Sequence, residues 1–307
     1  MGLIGWICPE EAKQVGLDHF MGECPDPPFP PVWAAMILDG IKGDRFHVGS
    51  TLTPTTCLAC PRETIIKRFM DYYALPHGAD VRFRGSVWHK VMAQAGGKYG
   101  FRTEVQLSDI EFPGIGKMSA QVDNWSSDGD YIVDYKITNA GALSFIVKSH
   151  EARDDDSAQV GGFYANMLEL NFGKRPEFGH IWYTAPLSGR DRQKYGSEWI
   201  KKPVRFMGVE ELLSYKPGGA GFTVREIVEM LKRGFKEIEE GRPPAEVVKE
   251  LPLAGLPMLG GQKCQMYCDV NVVCSALGGG QQVLAAHQAG MRAASEYRPF
   301  SGASIAS

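Results

Sequence analysis

The spacing of apolar positions predicts two helices followed by three strands in the first half of the chain. Apolar residues recur at helical spacing over about 62–73 and again over about 84–95, because positions three and four apart share one face of a helix. Alternating apolar and polar residues predict strands at about 101–107, 117–125 and 131–137. The Ser126–Gly129 run is a turn signal between the last two strands.

The second half predicts a helix beginning near the acidic stretch 154–157, strands at about 177–184 and 204–207, and an amphipathic helix at about 224–239. This order favours an α/β fold, a mixed β-sheet flanked by helices. Residues 1–50 are rich in Pro and Gly and are expected to form an extended N-terminal arm. The predicted core then covers 51–277, and the Gly/Gln/Ala-rich segment 278–307 is expected to be a flexible tail.

Composition narrows the class of protein. The 307 residues are 44% apolar and 22% charged, with a net charge of −3, which is typical of a globular protein. The charge exerts no global attraction on nucleic acid, so any DNA-binding surface must be a local basic groove. The sequence has no apolar run of the roughly 20 residues that a membrane span requires and no signal-peptide pattern at its start, which favours a cytoplasmic location.

One strand carries the most informative residues. Asp134 and Lys136 are two positions apart, so they project from the same face of the predicted strand 131–137. Asp123, on the preceding strand, would lie beside Asp134, and two such carboxylates repel unless a proton or a cation neutralises them. Mg²⁺ or Mn²⁺ suits these ligands, and His89 on the preceding helix favours Mn²⁺. Lys136 could orient a water or stabilise charge on a phosphate, which suits hydrolysis of a phosphodiester.

A structural interpretation of the same residues is also available. An Asp-x-Lys pattern is common on solvated strand faces, and a single histidine is more often structural than a metal ligand. Ile132, Val133 and Ile137 flank the charged pair, so the strand is expected to be largely buried. Charged residues in a buried strand require a partner or a function.

Four short motifs occur in a fixed order along the chain. They are Arg84-Gly85-Ser86-Val87-Trp88-His89, Gly116-Lys117-Met118-Ser119-Ala120-Gln121-Val122-Asp123, Val133-Asp134-Tyr135-Lys136 and Gln159-Val160-Gly161-Gly162-Phe163-Tyr164. This series resembles the RecB-type branch of the PD-(D/E)XK nuclease superfamily, which implies a restriction-endonuclease-like core. The resemblance implies as metal ligands His89, Asp123, Asp134 and the carbonyl of Tyr135, and as catalytic residues Asp123, Asp134, Lys136, Gln159 and Tyr164.

The chain departs from that pattern at two points. The acidic residue of the third motif is Asp134 rather than the more usual Glu. The aromatic residue of the last motif could be either Phe163 or Tyr164.

The seven cysteines are odd in number, which argues against a disulfide framework. Three of them, Cys264, Cys268 and Cys274, have the C-x3-C-x5-C spacing of a thiolate metal site, with Cys60 as the best fourth ligand and Cys57 as its rival. Three tail cysteines alone do not separate zinc from an iron–sulfur cluster. Resemblance to iron–sulfur nucleases, the CRISPR-adaptation nuclease and the AddB-like exonucleases, implies a [4Fe-4S] cluster that staples the C-terminal tail to the core. Cys8 and Cys24 are expected to be simple thiols.

The expected function is therefore that of a metal-dependent deoxyribonuclease, an exonuclease more than an endonuclease, acting on single-stranded DNA or DNA ends. Basic and aromatic residues near the proposed site fit single-strand binding, although they could equally solvate two helices and fill the core. They are Lys67, Arg68, Arg82, Arg84, Lys90, Lys98, Arg102, Phe83, Trp88, Tyr99, Phe101 and Trp125. The alternative is a non-catalytic DNA-binding or assembly module on the same fold. The resemblance is also compatible with a protein partner in recombination, repair or CRISPR adaptation, and with an oligomer.

Overall fold

The computed structural model describes residues 3–8, 10–11, 13–25, 27–28, 32–37, 52–74, 76–138, 140–185, 199–219, 221–252, 268, 270, 273–274 and 277. Of the four cysteines of the expected staple, Cys264 lies outside these residues, and so does the tail from 278. None of the helices in the described part is long and apolar enough to cross a membrane.

The described strands form two sheets. The strands are β1 (Leu3–Cys8), β2 (Lys13–Gly16), β3 (Tyr72–Ala74), β4 (Phe101–Phe112), β5 (Gly116–Ser126), β6 (Tyr131–Ile137), β7 (Phe178–Thr184) and β8 (Trp199–Pro203). The larger sheet has the order β4-β5-β6-β7-β8, in which β6 and β7 are parallel and the other neighbours are antiparallel. This mixed five-stranded sheet with flanking helices confirms the predicted α/β fold class.

The described helices supply the layers around that sheet. They are α1 (which includes 32–37), α2 (Pro54–Cys57), α3 (Pro61–Phe69), α4 (Pro76–Gly96), α5 (Ala140–Lys148), α6 (Asp154–Ser157), α7 (Ala165–Phe172), α8 (Val209–Ser214), α9 (Val224–Glu239) and α10 (Pro244–Glu250). A π-helical segment, Ala158–Tyr164, joins α6 to α7. The parallel pair β6 and β7 needs a long crossover, and α5 to α7 provide it.

The smaller sheet differs from the extended arm predicted for the N-terminal residues. β1 and β2 form an antiparallel hairpin, and β1 pairs in parallel with β3, with the order β2-β1-β3. Trp6 is buried against Phe20, and its indole N–H donates to the carbonyl of Leu17 at 3.0 Å. The strand that completes this sheet lies far along the chain, so local composition could not predict it.

In the second half of the chain, one predicted element is present in the structure and another is displaced. The helix predicted at 224–239 is confirmed as α9, which begins with a capping box between Thr223 and Glu226. The edge strand is not at 204–207, because β8 pairs with β7 only from Trp199 to Pro203. The apolar signal at 204–207 instead reflects Val204 and Met207, which are buried outside any strand.

Candidate active site

The candidate active site lies where the pairing between β5 and β6 ends. Asn124 pairs with Val133, and the next residues along the two strands are Asp123 and Asp134. Beyond that pair the main-chain N–H of Tyr135 donates to Oδ2 of Asp123 at 3.1 Å. The N–H of Tyr135 is thus bonded to a side-chain carboxylate and not to a main-chain carbonyl of β5. The two acidic residues lie side by side where the pairing of β5 and β6 ends.

Lys136 lies on the same face of β6 as Asp134, as the period of a strand requires. Its Nζ is 3.0 Å from Oδ2 of Asp134 and donates to Oε1 of Gln159 at 3.1 Å. Asp134 is only 2% exposed. The carboxylate of this ion pair is therefore buried and its ammonium is partly buried, with 21% of the Lys136 side chain exposed, unlike the solvated strand pairs that show the same sequence pattern.

Burial and charge act in opposite directions on the two members of this pair. Burial raises the pKa of Asp134 to about 7, although the charges of Lys136 and His89 oppose the shift. Burial alone would lower the pKa of Lys136, but the charges of Asp134 and Asp156 outweigh it and raise that pKa above its ordinary value. The lysine consequently stays cationic, while the carboxyl of Asp134 holds a proton more readily than an exposed aspartate.

His89 approaches the carboxylates from helix α4. Its Nδ1 lies 3.0 Å from Oδ1 of Asp123. The hydrogen bond to Asp123 raises the pKa of His89, against the opposing effect of burial. Asp123 is thus held by an imidazole through one oxygen and by the N–H of Tyr135 through the other.

The π-helical segment supplies the last two members of the site. Gln159, which accepts from Lys136, donates through Nε2 to the hydroxyl of Tyr164 at 2.6 Å. Burial raises the pKa of Tyr164, so the hydroxyl is neutral. Phe163, the other candidate aromatic, is fully buried and packs against Phe112, with ring centroids 5.6 Å apart. The structure therefore assigns Tyr164, not Phe163, to the site.

The structure brings together all the side chains that the motifs singled out. They are His89, Asp123, Asp134, Lys136, Gln159 and Tyr164. Two carboxylates and an imidazole are a donor set that suits Mn²⁺ or Mg²⁺. Within the described part of the chain, the buried Oδ2 of Asp134 receives no hydrogen bond despite its short distance to Lys136, so it retains the capacity to bind a cation.

The basic and aromatic residues proposed for DNA binding do not form one group. Lys67 pairs with Glu63, and Arg68 lies over the rings of Phe69 and Phe235. Trp125 is buried. In contrast, Trp88 on α4, next to His89, is 41% exposed, and Tyr99 just beyond α4 is 80% exposed. Of the proposed aromatic residues, these two could stack on a base.

The two candidates for the fourth ligand of the tail cysteines, Cys60 and Cys57, lie in different surroundings. Cys60 is the N-cap of α3, and burial is the main cause that raises the pKa of its thiol, with smaller contributions from the charges of Glu63 and Cys274. Cys57 is fully buried one turn earlier, and burial raises its pKa to about 12. Cys274, in the described part of the tail, is buried in the core of the protein.

A second cluster of metal-binding side chains lies in the N-terminal segment, where sequence reasoning predicted only simple thiols. Cys8, His19 and Cys24 each offer a ligand atom, and these three atoms lie within 4.8 Å of one another. The cluster could hold a metal ion. The only sequence signal for it is the presence of a histidine between two cysteines, which is weak without the contact between Cys8 and Cys24.

Comparison with known proteins gives little further information about this site. No protein-family model and no curated protein matches the chain. One solved structure, described as the crystal structure of SSO0001, is 15% identical and has a TM-score of 0.44, covering 80% of this chain and 95% of its own. A likeness at this level assigns neither a family nor an activity.

Proposed function

We propose that this chain is a metal-dependent deoxyribonuclease that hydrolyses phosphodiester bonds, preferentially in single-stranded DNA or at DNA ends. The observation that carries the proposal is the ion pair between buried Asp134 and partly buried Lys136, beside Asp123. Burying charges is costly, and such a pair contributes little net stability compared with an apolar replacement. An ion pair at the point where the pairing of β5 and β6 ends is better explained by a catalytic role than by a contribution to the stability of the fold.

A divalent cation, Mn²⁺ or Mg²⁺, would be held by His89, Asp123 and Asp134, together with the main-chain carbonyl of Tyr135. The donor set fits, because two carboxylates and an imidazole converge, and the buried Oδ2 of Asp134 forms no hydrogen bond among the described residues, although Nζ of Lys136 lies 3.0 Å away. When bound, such a cation lowers the pKa of a water and neutralises charge on the phosphate.

The protein side chains would carry out the remaining steps. Lys136 is cationic and is held by Asp134 and Gln159, so its ammonium can stabilise the negative charge that develops on the phosphate or orient the attacking water. Tyr164 fixes the amide of Gln159, and through it the direction of the ammonium. Gln159 and Tyr164 therefore act as positioning residues for Lys136.

The order of the four motifs supports a RecB-type nuclease, since each of them contributes a side chain to this one site. We further propose a [4Fe-4S] cluster on Cys60, Cys264, Cys268 and Cys274, supported by the spacing of the tail cysteines and by the burial of Cys274 in the core. A brown protein with visible absorbance that bleaches on reduction, and that Cys60→Ser loses, would support the cluster. A colourless protein that contains zinc in place of iron would contradict it.

Single-stranded DNA is the preferred substrate in this proposal because two exposed aromatic rings lie on, or just after, the helix that carries His89. Trp88 directly precedes His89 in α4, and Tyr99 follows the end of that helix. Unpaired bases stack on such rings with about 1–3 kcal/mol per base, whereas duplex bases are not accessible.

The deciding experiment measures degradation of end-labelled single-stranded and double-stranded DNA by the full chain with Mn²⁺, Mg²⁺ or EDTA. We expect metal-dependent degradation that Asp134→Asn and Lys136→Ala each lower by at least about 100-fold. The matched controls are Asp130→Asn and Lys174→Ala, which disrupt an exposed Asp–Lys ion pair next to the start of β6 and should cleave normally.

Full activity in either active-site variant would reject the catalytic assignment. Wild-type protein that binds single-stranded DNA but cleaves neither substrate with any of the metals would favour the alternative, a non-catalytic DNA-binding or assembly module.

A further inference from the structure

The Cys8, His19 and Cys24 cluster lies in the N-terminal segment, where the β-hairpin ends and the chain turns back. Cys8 is the last residue of β1, His19 begins a 3-10 turn, and Cys24 follows that turn. All three are buried, with exposed fractions of 0%, 6% and 9%. Buried polar side chains require partners, and a group of two thiols and an imidazole can find one in a metal ion.

The separation of the two sulfurs fits a tetrahedral metal site. Sγ of Cys8 is 3.7 Å from Sγ of Cys24. Two thiolates on one zinc ion at about 2.3 Å, in tetrahedral arrangement, lie about 3.8 Å apart. A disulfide would require about 2.05 Å. The observed distance is thus that of two ligands sharing one zinc ion, although two thiols in contact would also satisfy it.

The imidazole of His19 carries the second feature of a metal ligand. Its Nε2 lies 3.1 Å from Oε2 of Glu11, and its Nδ1 lies 3.6 Å from Oε2 of Glu23. Histidines that bind metals usually direct their other ring nitrogen to a carboxylate or carbonyl. Whichever nitrogen faces the sulfurs, a carboxylate flanks the other one.

One ring nitrogen of His19 also forms no hydrogen bond within the described part of the chain, despite its neighbouring carboxylate. Nε2 is buried and, among the described residues, makes no hydrogen bond, although Glu11 is close to it. A buried ring nitrogen that forms no hydrogen bond is unfavourable. A metal ion in the cluster would remove that cost by ordering the ring between its ligand bond and a carboxylate.

We propose that Cys8, His19 and Cys24 bind a structural zinc ion, with a water or a carboxylate in the fourth position. Two thiolates and one imidazole favour zinc over the harder cations Mg²⁺ and Mn²⁺. The ion would tie the end of β1 to the 3-10 turn. It would therefore stabilise the β1–β2 hairpin, since a two-stranded hairpin is marginal by itself. The inference does not depend on the proposed nuclease activity.

This zinc site also has a structural connection to the candidate active site. β1 pairs with β3, which ends at Ala74, and α4 begins at Pro76 and carries His89. Ordering β1 would therefore order the strand that leads into the helix of a proposed metal ligand.

The test uses the full chain purified with both iron and zinc supplied, and measures the two metals separately. We expect about one zinc per chain, and we expect Cys8→Ser and Cys24→Ser to lose it while iron stays unchanged. Cys57→Ser is the matched control, because Cys57 is equally buried but outside the cluster, and it should retain the zinc.

Zinc-edge X-ray absorption of the wild-type protein needs no variant and so remains decisive if the serine variants do not fold. Two sulfur and two nitrogen or oxygen neighbours would support the proposal. Four sulfur neighbours would place the zinc on the other cysteines and overturn it. Absence of zinc, retention of zinc in a folded Cys8→Ser protein, or a disulfide between Cys8 and Cys24 would also overturn it.

Discussion

Gln159 and Tyr164 are five residues apart, yet their side chains are joined by a 2.6 Å hydrogen bond. In an α-helix this spacing would place the two side chains about 140° apart around the axis, because each residue advances about 100°. The π-helical segment Ala158–Tyr164 has a wider turn, and it brings both residues to one face. Gln159 can therefore hold Lys136 on one side while Tyr164 holds Gln159 on the other.

Tyr164→Phe tests this chain of contacts. Removing the hydroxyl frees the amide of Gln159, so Lys136 loses its fixed direction, and we expect cleavage under single-turnover conditions to fall about 10- to 100-fold. The free energy of unfolding should fall by only about 1 kcal/mol.

Tyr215→Phe is the control for that variant, since its hydroxyl makes an equally short bond of 2.6 Å to Asp155, outside the site. It should show a similar stability loss and unchanged cleavage. Equal cleavage by the two variants would mean that Tyr164 has no positioning role.

Asp134→Asn should change how the stability of the metal-free protein depends on pH. The pKa of Asp134 is raised by burial to about 7, so the folded protein keeps a proton that the unfolded chain loses above its ordinary pKa. Wild-type stability should therefore decrease relative to the asparagine variant as the pH rises from about 4 to about 7, by about 1 kcal/mol per pH unit, and level off above that.

Urea unfolding of both proteins in EDTA, from about pH 5 to about pH 8, measures this difference. A difference that is constant, or that favours the wild type as the pH rises, would show that the folded-state pKa of Asp134 is not raised. Added Mn²⁺ should reverse the trend in the wild-type protein, because a bound cation favours the ionised carboxylate.

Gly161→Ala should destabilise the protein by about 1–3 kcal/mol. A Cβ at this position would lie 2.3 Å from the carbonyl oxygen of Arg205, which is main chain and cannot rotate away. Gly97→Ala is the matched control, since a Cβ there meets no atom within 4 Å. Thermal unfolding compares the two variants, and equal stability would contradict the close packing of the π-helical segment.

Arg62→Met should cost about 2–4 kcal/mol of stability. The guanidinium is buried and donates to the carbonyl of Leu251 through Nε at 2.8 Å and Nη2 at 2.6 Å, and to that of Lys249 at 3.1 Å. It thereby satisfies carbonyls at the end of α10. Lysine should not rescue the loss, because it lacks the planar fork that reaches both carbonyls.

Arg225→Met provides the comparison for Arg62. Arg225 pairs with Glu210 at an exposed site, where ion pairs contribute about 0–1 kcal/mol. Denaturant unfolding should separate the two methionine variants clearly. Similar small losses in both would show that Arg62 does not hold the end of α10.

Much of the central sheet was predictable because its signals are local. The three consecutive strands β4, β5 and β6 follow alternation and turn residues, and α9 follows its capping box. The shared face of Asp134 and Lys136 follows from the period of a strand alone. Proximity of Asp123 to Asp134 follows from the turn between their strands.

Other parts of the structure could not be predicted, because they depend on contacts between residues that are distant in sequence. The N-terminal hairpin becomes part of a sheet through β3, about 65 residues later, and periodicity holds no information about such a partner. The choice between Phe163 and Tyr164 was decided by the π-helical turn, whose glycines pack against the main chain of Arg205 and the side chain of Leu212.

Local patterns in the sequence were thus enough to predict the α/β class, the strands of the site and the face from which its charged residues project. The folded chain was needed to show that His89 and Gln159 reach those residues, that Asp134 is buried, and that Cys8, His19 and Cys24 converge. The physical reason is that the direction of a side chain follows from the local backbone period. Its burial and its distant contacts, in contrast, are set by the packing of the whole chain.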